Sequence, residues 1–341
     1  MRKSGYRGRL LVHGRRGVYH VMSRTACGQF LFGDDEKRVF LSMLRKQAGF
    51  CGVELLAYCV MGNHFHLLVA VPDADEVCIS DEDLLRRYRL LYDGDCPASS
   101  ASPLVLAQLL AANEREGQLL RTRILARMHD LSVFMRELKQ RFGLWYNDQH
   151  QNQGTIWAKR FTSVVVESSR EALMTVAAYI DLNPVRAGLV DDPEDYAYSS
   201  YGLAIRGQTG ARHGYAGVFC DAGTWDVLLP RYRVFLYGKG SRSKGSLDKD
   251  FGVIDANRAE QVLKAGGRLA ISDVLRLRIR YFSAGTAVGS DSFLTELGRD
   301  WKACYGLSRK RDSYPMRCAE WGQLRAFRNL QVEPVDLKSL D

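Results

Sequence analysis

The stretch "VELLAYCVMGNHFHLLVAV" (residues 53–71) decides the fold. Its two halves, 53–61 and 64–71, are rich in β-branched, aromatic and aliphatic residues, and Gly62-Asn63 between them suits a two-residue turn. The segment therefore predicts an antiparallel hairpin. His64 and His66 open its second strand. Residues i and i+2 of a strand share one face, about 6.5 Å apart along the chain. Both imidazoles thus leave the sheet on one side, while Phe65, Leu67 and Val69 enter a core on the other. A pair of imidazoles suits a transition metal, whereas Mg²⁺ prefers oxygen. On its own, such a pair is more often one surface and one packed histidine at a hairpin end.

Outward from the hairpin, "GVYHVMSR" (17–24) reads as a strand. "DDEKRVFLSMLRKQAGF" (34–50) opens in acids, spaces its apolar residues helically and ends in Lys and Gly, the pattern of an amphipathic helix. Residues 73–126 read as an insertion with some helix of its own. "DLSVFMRELKQRFGLWYN" (130–147) is helical, and "GTIWAKRFTSVVVES" (154–168) is a loop feeding a strand. "SREALMTVAAYIDLNP" (169–184) has a Ser N-cap, an acid in its first turn and Pro at its end. The order β-α-β-β-α-β-α predicts an α+β fold, an antiparallel sheet covered by helices on one face. Residues 1–205 are expected to form this domain. Residues 206–341 are expected to add a basic Gly/Ser-rich linker and a mainly helical C-terminal region. There, two short helices flank "SAGTAVGS" (283–290), as a loose helix-turn-helix or a plain helical cap.

The composition, 46% hydrophobic and 26% charged over 341 residues, is that of a soluble globular protein. No run approaches ~18 apolar residues, so no membrane span or membrane partner is expected. The basic N-terminus lacks the apolar core of a secretory signal. The eight cysteines show no CxxC spacing and read as reduced thiols of a cytoplasmic chain. The net charge is +9 and polarised: residues 1–24 hold seven Arg/Lys and no Asp/Glu. Residues 231–249 are also basic, and acids gather at 73–95 and 191–195. That distribution favours a polyanionic partner, most often nucleic acid, over a generally basic surface.

Tyr179 and Asn183 stand i, i+4 on the helix that ends at Pro184. Their side chains share a face about 6 Å apart. A phenol and a carboxamide oxygen can meet one metal from there, or be a core Tyr and an Asn that ends a helix before Pro.

Together, "VYHVMSR", "AYCVMGNHFHLLV", "GTIWAKRF" and "AAYIDLNPVRAGLV", in this order over about residues 10–200, resemble the REP-associated tyrosine transposases, a group of single-tyrosine HUH transposases. The departures are Gly62 where Pro is usual, the insertion, and the long C-terminal segment. The resemblance implies a ferredoxin- or RRM-like HUH palm. It implies that His64 and His66, with Asn183 as third ligand, hold Mg²⁺ or Mn²⁺ against the scissile phosphate of single-stranded DNA bearing palindromic hairpins. It implies Tyr179 as the nucleophile, forming a 5′-phosphotyrosine link and a 3′-OH that permit strand transfer. It further implies a nucleoid-associated monomer or homodimer. Lys159, Arg160 and Trp157 would contact phosphate and stack on a base, or be solvated charges beside a core Trp. Arg24 and the N-terminal arm, with Arg15 and Arg16, would grip a hairpin foot or stay solvated. Arg186 would bind phosphate or satisfy the last helical carbonyls. His20 faces the site or is a satisfied core histidine. Two other readings of the same chain are a domesticated, non-catalytic DNA- or RNA-binding regulator and a metal-dependent phosphohydrolase using water.

Overall fold

The computed structural model describes residues 10–74, 77–94, 100–112, 114–221, 223–237, 275, 278–305, 312–316, 319, 321–328 and 332–333. The hairpin forms as expected. Strands β2 (Glu54–Val60) and β3 (His64–Val71) pair antiparallel, and the Met61 N–H donates to the His64 carbonyl at 2.8 Å across Gly62-Asn63. Strand β1 (Gly17–Arg24) lies against the other edge of β3 and carries β4 (Thr162–Val166) on its far side. The four run in the order β2-β3-β1-β4, all antiparallel. With their helices they make the split β-α-β-β-α-β unit of an α+β fold.

Helix α1 (Asp34–Cys51) starts in three acids and stops at Gly52, whose φ of 67° is the left-handed conformation that glycine adopts without strain. Between β3 and the next long helix lie α2 (Asp81–Tyr92), α3 (Pro103–Ala112) and α4 (Arg115–Leu125), the helices of the insertion. Helix α5 (Leu131–Gln149) is capped by Asp130, which accepts from Val133 N. Helix α6 (Arg170–Asp181) is capped by Ser169, and after Leu182 the chain continues as the single turn α7 (Asn183–Arg186).

The expected cover of helices on one face is corrected: both faces are covered. Tyr19, Val21, Phe65, Leu67, Val69 and Val165 pack on α1, α2 and α5. Val18, Leu68, Ala70, Val164 and Val166 pack on α6 and on α8 (Ser200–Ile205), α9 (Thr209–Phe219) and α10 (Trp225–Tyr237). The cause lies in the strands. Seven of the eight residues of β3 are buried, and a strand apolar on both sides needs two layers. Helix α9 lies so close to β2 that a Cβ on Gly214 would come within 2.5 Å of the Leu55 carbonyl oxygen.

Residues beyond 205 also extend the sheet. After the short strand β5 (Arg278–Ile279) and the turn α11 (Arg280–Ser283), β6 (Ala287–Gly289) pairs parallel with β4. Where the sequence suggested the turn of a helix-turn-helix, the chain is therefore a strand. Helix α12 (Asp291–Tyr305) follows, and β7 (Tyr314–Pro315) and β8 (Arg325–Ala326) complete the order β2-β3-β1-β4-β6-β8-β7. A second, two-stranded sheet joins β5 to β9 (Val332–Glu333). The basic stretch 238–249, residues 1–9, and most of the first expected C-terminal helix lie outside the described residues. No described helix is long and apolar enough to cross a membrane. The described cysteines, Cys27, Cys51, Cys59, Cys78, Cys220 and Cys304, are free thiols.

Candidate active site

The register of β1 on β3 sets Arg24 opposite His64, Met22 opposite His66 and His20 opposite Leu68. Cross-strand partners share a face, so His20, His64 and His66 all stand on the side that α6 covers.

The turn orients His64. The Asn63 side-chain amide donates to the Gly28 carbonyl at 3.0 Å, which turns its oxygen toward His64 Nδ1 at 2.6 Å. The Asn63 carbonyl accepts from both the N–H and the hydroxyl of Thr25, at 3.0 Å each. The His66 ring meets that of His64 edge-on, with 5.2 Å between centroids. His66 Nδ1 lies 3.0 Å from His20 Nε2, the two rings stack at 5.1 Å, and His20 Nδ1 lies 2.9 Å from the carbonyl of Phe282. Burial pushes the His20 imidazole down to about 3, against the Phe282 carbonyl and with help from the Arg186 charge. Burial, then the His20, His64, Arg186 and Arg24 charges, drives His66 well below the ordinary histidine range. Both rings are neutral at pH 7.

Tyr179 joins them from α6. Its ring lies 6.0 Å from that of His66, 5.8 Å from His20 and 5.1 Å from Phe282, and the Arg186 guanidinium sits 4.1 Å over its face. The ring is 3% exposed. Its hydroxyl makes no hydrogen bond among the described residues. Tyr179 and the histidine pair, far apart in sequence, are therefore neighbours.

Asn183 differs from expectation. Its side-chain amide donates to the carbonyls of Tyr179 and Ile180, at 3.2 and 3.1 Å, and neither bond reaches a histidine. The reason is Pro184, which has no N–H for the Ile180 carbonyl four residues back. Asn183 supplies that donor and so caps the helix, through its amide nitrogen; its Oδ1, the atom a metal would take, is used by neither bond. Arg186 likewise donates to the carbonyls of Tyr179, at 2.8 Å, and Leu275, as its carbonyl-satisfying reading expects.

The expected DNA contacts divide. Trp157 is buried, its indole N–H donates to the Lys139 carbonyl at 3.0 Å, and its ring packs on Phe65 and Phe142; a base cannot stack on it. Arg15 is paired with Glu296 at 2.5 Å, and Arg16 with Glu54 at 2.7 Å, so both charges are already balanced. Lys159 and Arg160 are exposed. They follow Ala158, whose N–H donates to the Arg24 carbonyl at 3.0 Å, and Arg24 is itself exposed opposite His64. These three side chains rim the end of the sheet at which the histidines emerge.

Among the described residues there is no group of three or more His, Cys, Asp or Glu placed to hold a metal ion. The donor set of the pair is two imidazoles, and His66, with Nδ1 engaged by His20, presents Nε2 as the nitrogen for a cation. Imidazole nitrogens suit Mn²⁺ better than Mg²⁺, which needs oxygen ligands. His20, Asn63 and Phe282 complete the site. The first was visible in the sequence as a strand histidine and the second as a turn residue; the third carried no signal.

The fold and site define an α+β protein with a buried Tyr-His-His cluster beside a basic rim. No protein-family model matches the chain, and no curated protein matches it in sequence. Among solved structures it is similar to one described as a REP-associated tyrosine transposase bound to a REP hairpin. Identity is 16%, covering 60% of this chain and 87% of that chain, with a TM-score of 0.37.

Proposed function

We propose that this chain nicks single-stranded, hairpin-bearing DNA through Tyr179 and transfers the cut strand. The observation that carries the reading is the placement of the Tyr179 ring 6.0 Å from His66, on the sheet face where His64 also emerges. The order of the sequence motifs supports it independently. Tyr179 Oη would attack phosphorus, forming the phosphotyrosine bond, while the bond to the 3′ oxygen breaks and that oxygen leaves as a hydroxyl. His64 and His66 would hold a divalent cation, which when bound supplies Lewis-acid polarisation of the phosphate. Arg24, Lys159 and Arg160 would carry the DNA backbone across the rim. The 3′-OH of a second strand reverses the attack, so no ATP or water is consumed.

The test is incubation of the full chain with single-stranded DNA from the flanks of its gene and Mn²⁺ or Mg²⁺. A covalent protein–DNA adduct is expected, and it should vanish in Tyr179→Phe with binding retained. Hydrolysis unchanged by Tyr179→Phe would mean a phosphohydrolase instead. The burial of Tyr179, 3% exposed under Phe282 and Arg186, specifically favours a second reading, a non-catalytic DNA- or RNA-binding regulator on the same fold. Tight binding with no adduct on any palindromic flank would decide for it.

A further inference from the structure

The buried histidine of β1 makes two contacts that fix where protons sit in the site. A backbone carbonyl can only accept a hydrogen bond. The Phe282 carbonyl, 2.9 Å from His20 Nδ1, therefore places a proton on that nitrogen. His20 is 0% exposed and has no carboxylate partner among the described residues, and burial of that kind disfavours a charged imidazole. In a neutral ring the second nitrogen is then bare, so His20 Nε2 accepts. The 3.0 Å contact makes His66 Nδ1 the donor. His66 is neutral on the same grounds, and its proton is already committed to Nδ1. Its Nε2, which makes no hydrogen bond among the described residues, is left with the lone pair.

We propose that His20 is a positioning residue: relayed from the Phe282 carbonyl, it holds His66 as the Nδ1-protonated tautomer and so presents Nε2 as a ready donor for a divalent cation. The purpose rests on the proposed function, but the tautomer does not. Without His20, the Nδ1 and Nε2 protonated forms of His66 compete, and the ring is free to turn. The C-terminal region thereby reaches His20 through a backbone carbonyl 262 positions along the chain.

Long-range proton–nitrogen correlation spectra of the full-length chain with ¹⁵N-labelled histidine test this directly, without metal or DNA. The His66 signals are assigned by their loss in His66→Gln. The expected pattern is a protonated Nδ1 and a bare Nε2. His20→Phe should give a mixed or Nε2-protonated pattern and weaken Mn²⁺ binding, read by calorimetry, by about 10-fold or more. His20→Gln keeps an acceptor near the position of Nε2, so it should restore the Nδ1 proton and bring Mn²⁺ affinity back to within a few-fold of the parent. An Nε2-protonated His66 in the parent protein overturns the proposal. So does an unchanged His66 pattern in a His20→Phe protein with an unchanged melting curve. Should His20→Phe fail to fold, the parent spectrum and His20→Gln still decide. Absence of a DNA adduct would defeat the nicking reading and leave these spectra as they are.

Discussion

The two faces of the sheet are built from different material. On the α1 and α5 face the interior is aromatic: Phe32 stacks on Phe142 at 5.0 Å, Phe40 meets Phe65 at 4.7 Å, and Phe65 meets Trp157 at 5.8 Å. On the α6 face the interior is threaded with polar groups, among them His20, His66, Asp181, Asn183 and Ser200, all buried. A buried polar group destabilises unless it is partnered, so a core serving stability alone would not collect them. One face is packed with aromatic rings and the other holds the candidate site. That division predicts opposite responses to substitution.

The largest effect belongs to the aromatic face. Phe40 is fully buried between Phe32, Phe65 and Phe142. Phe40→Ala should cost about 3–5 kcal/mol in urea unfolding, the usual penalty for a large ring removed from a core. Tyr179→Phe, on the other face, removes a hydroxyl with no hydrogen-bond partner among the described residues and should shift stability by less than ~1 kcal/mol while abolishing any adduct. A Tyr179→Phe protein as damaged as Phe40→Ala would break the division.

A smaller effect sharpens it. Asp181 is fully buried on α6; its Oδ2 accepts from Tyr215 at 2.7 Å and from Tyr232, and its Oδ1 has no hydrogen-bond partner among the described residues. Burial pushes its carboxyl up to about 7, against the two hydroxyl donors. The folded state thus binds the proton more tightly than the unfolded one. The stability this confers is complete below the ordinary carboxylate range, near pH 4, and is lost as pH rises through about 7. Within that window the loss approaches ~1.4 kcal/mol per pH unit. Asp181→Asn keeps an acceptor for both tyrosines and should flatten the dependence. A parent protein whose stability rises from pH 5 to pH 7, with no such flattening in the variant, would contradict this account of the polar face.

Much of this was legible in the sequence, and the exceptions share a cause. The hairpin, α1, α5 and α6 carry their own local signals: alternation, caps and breakers. Gly62-Asn63 announced the turn, and Ser169 and Pro184 bounded the helix that carries Tyr179. The histidine pair could be placed on one face because the strand period is two. What stayed hidden depends on partners remote in the chain. His20 owes its role to the carbonyl of residue 282, and β6, three residues long, is a strand only because β4 and β8 flank it. Trp157 was ambiguous for the same reason, since the Lys139 carbonyl that takes its N–H lies on another element. Asn183 is the instructive exception. Pro184 beside it already implied an unpaired Ile180 carbonyl, and the Asn183 amide nitrogen takes up that local task.

The smallest effect tests the two ends of β1 against each other. At the histidine end, Lys159 and Arg160 are exposed and make no ion pair among the described residues. At the other end, Arg15 and Arg16 are held by Glu296 and Glu54. A cation already paired with a carboxylate gains little from a phosphate, because the ion pair must break first. An unpaired one releases a counterion from the strand when it binds. Each such contact adds about 0.7 to the slope of log affinity against log salt for single-stranded DNA. Lys159→Ala with Arg160→Ala should therefore weaken binding across all sequences and lower that slope by about 1.4, in a fluorescence-anisotropy titration from low to moderate salt. Arg15→Ala with Arg16→Ala should leave the slope within error of the parent. A reversed result would move the DNA path to the far end of the sheet, away from Tyr179, and would separate binding from the proposed chemistry.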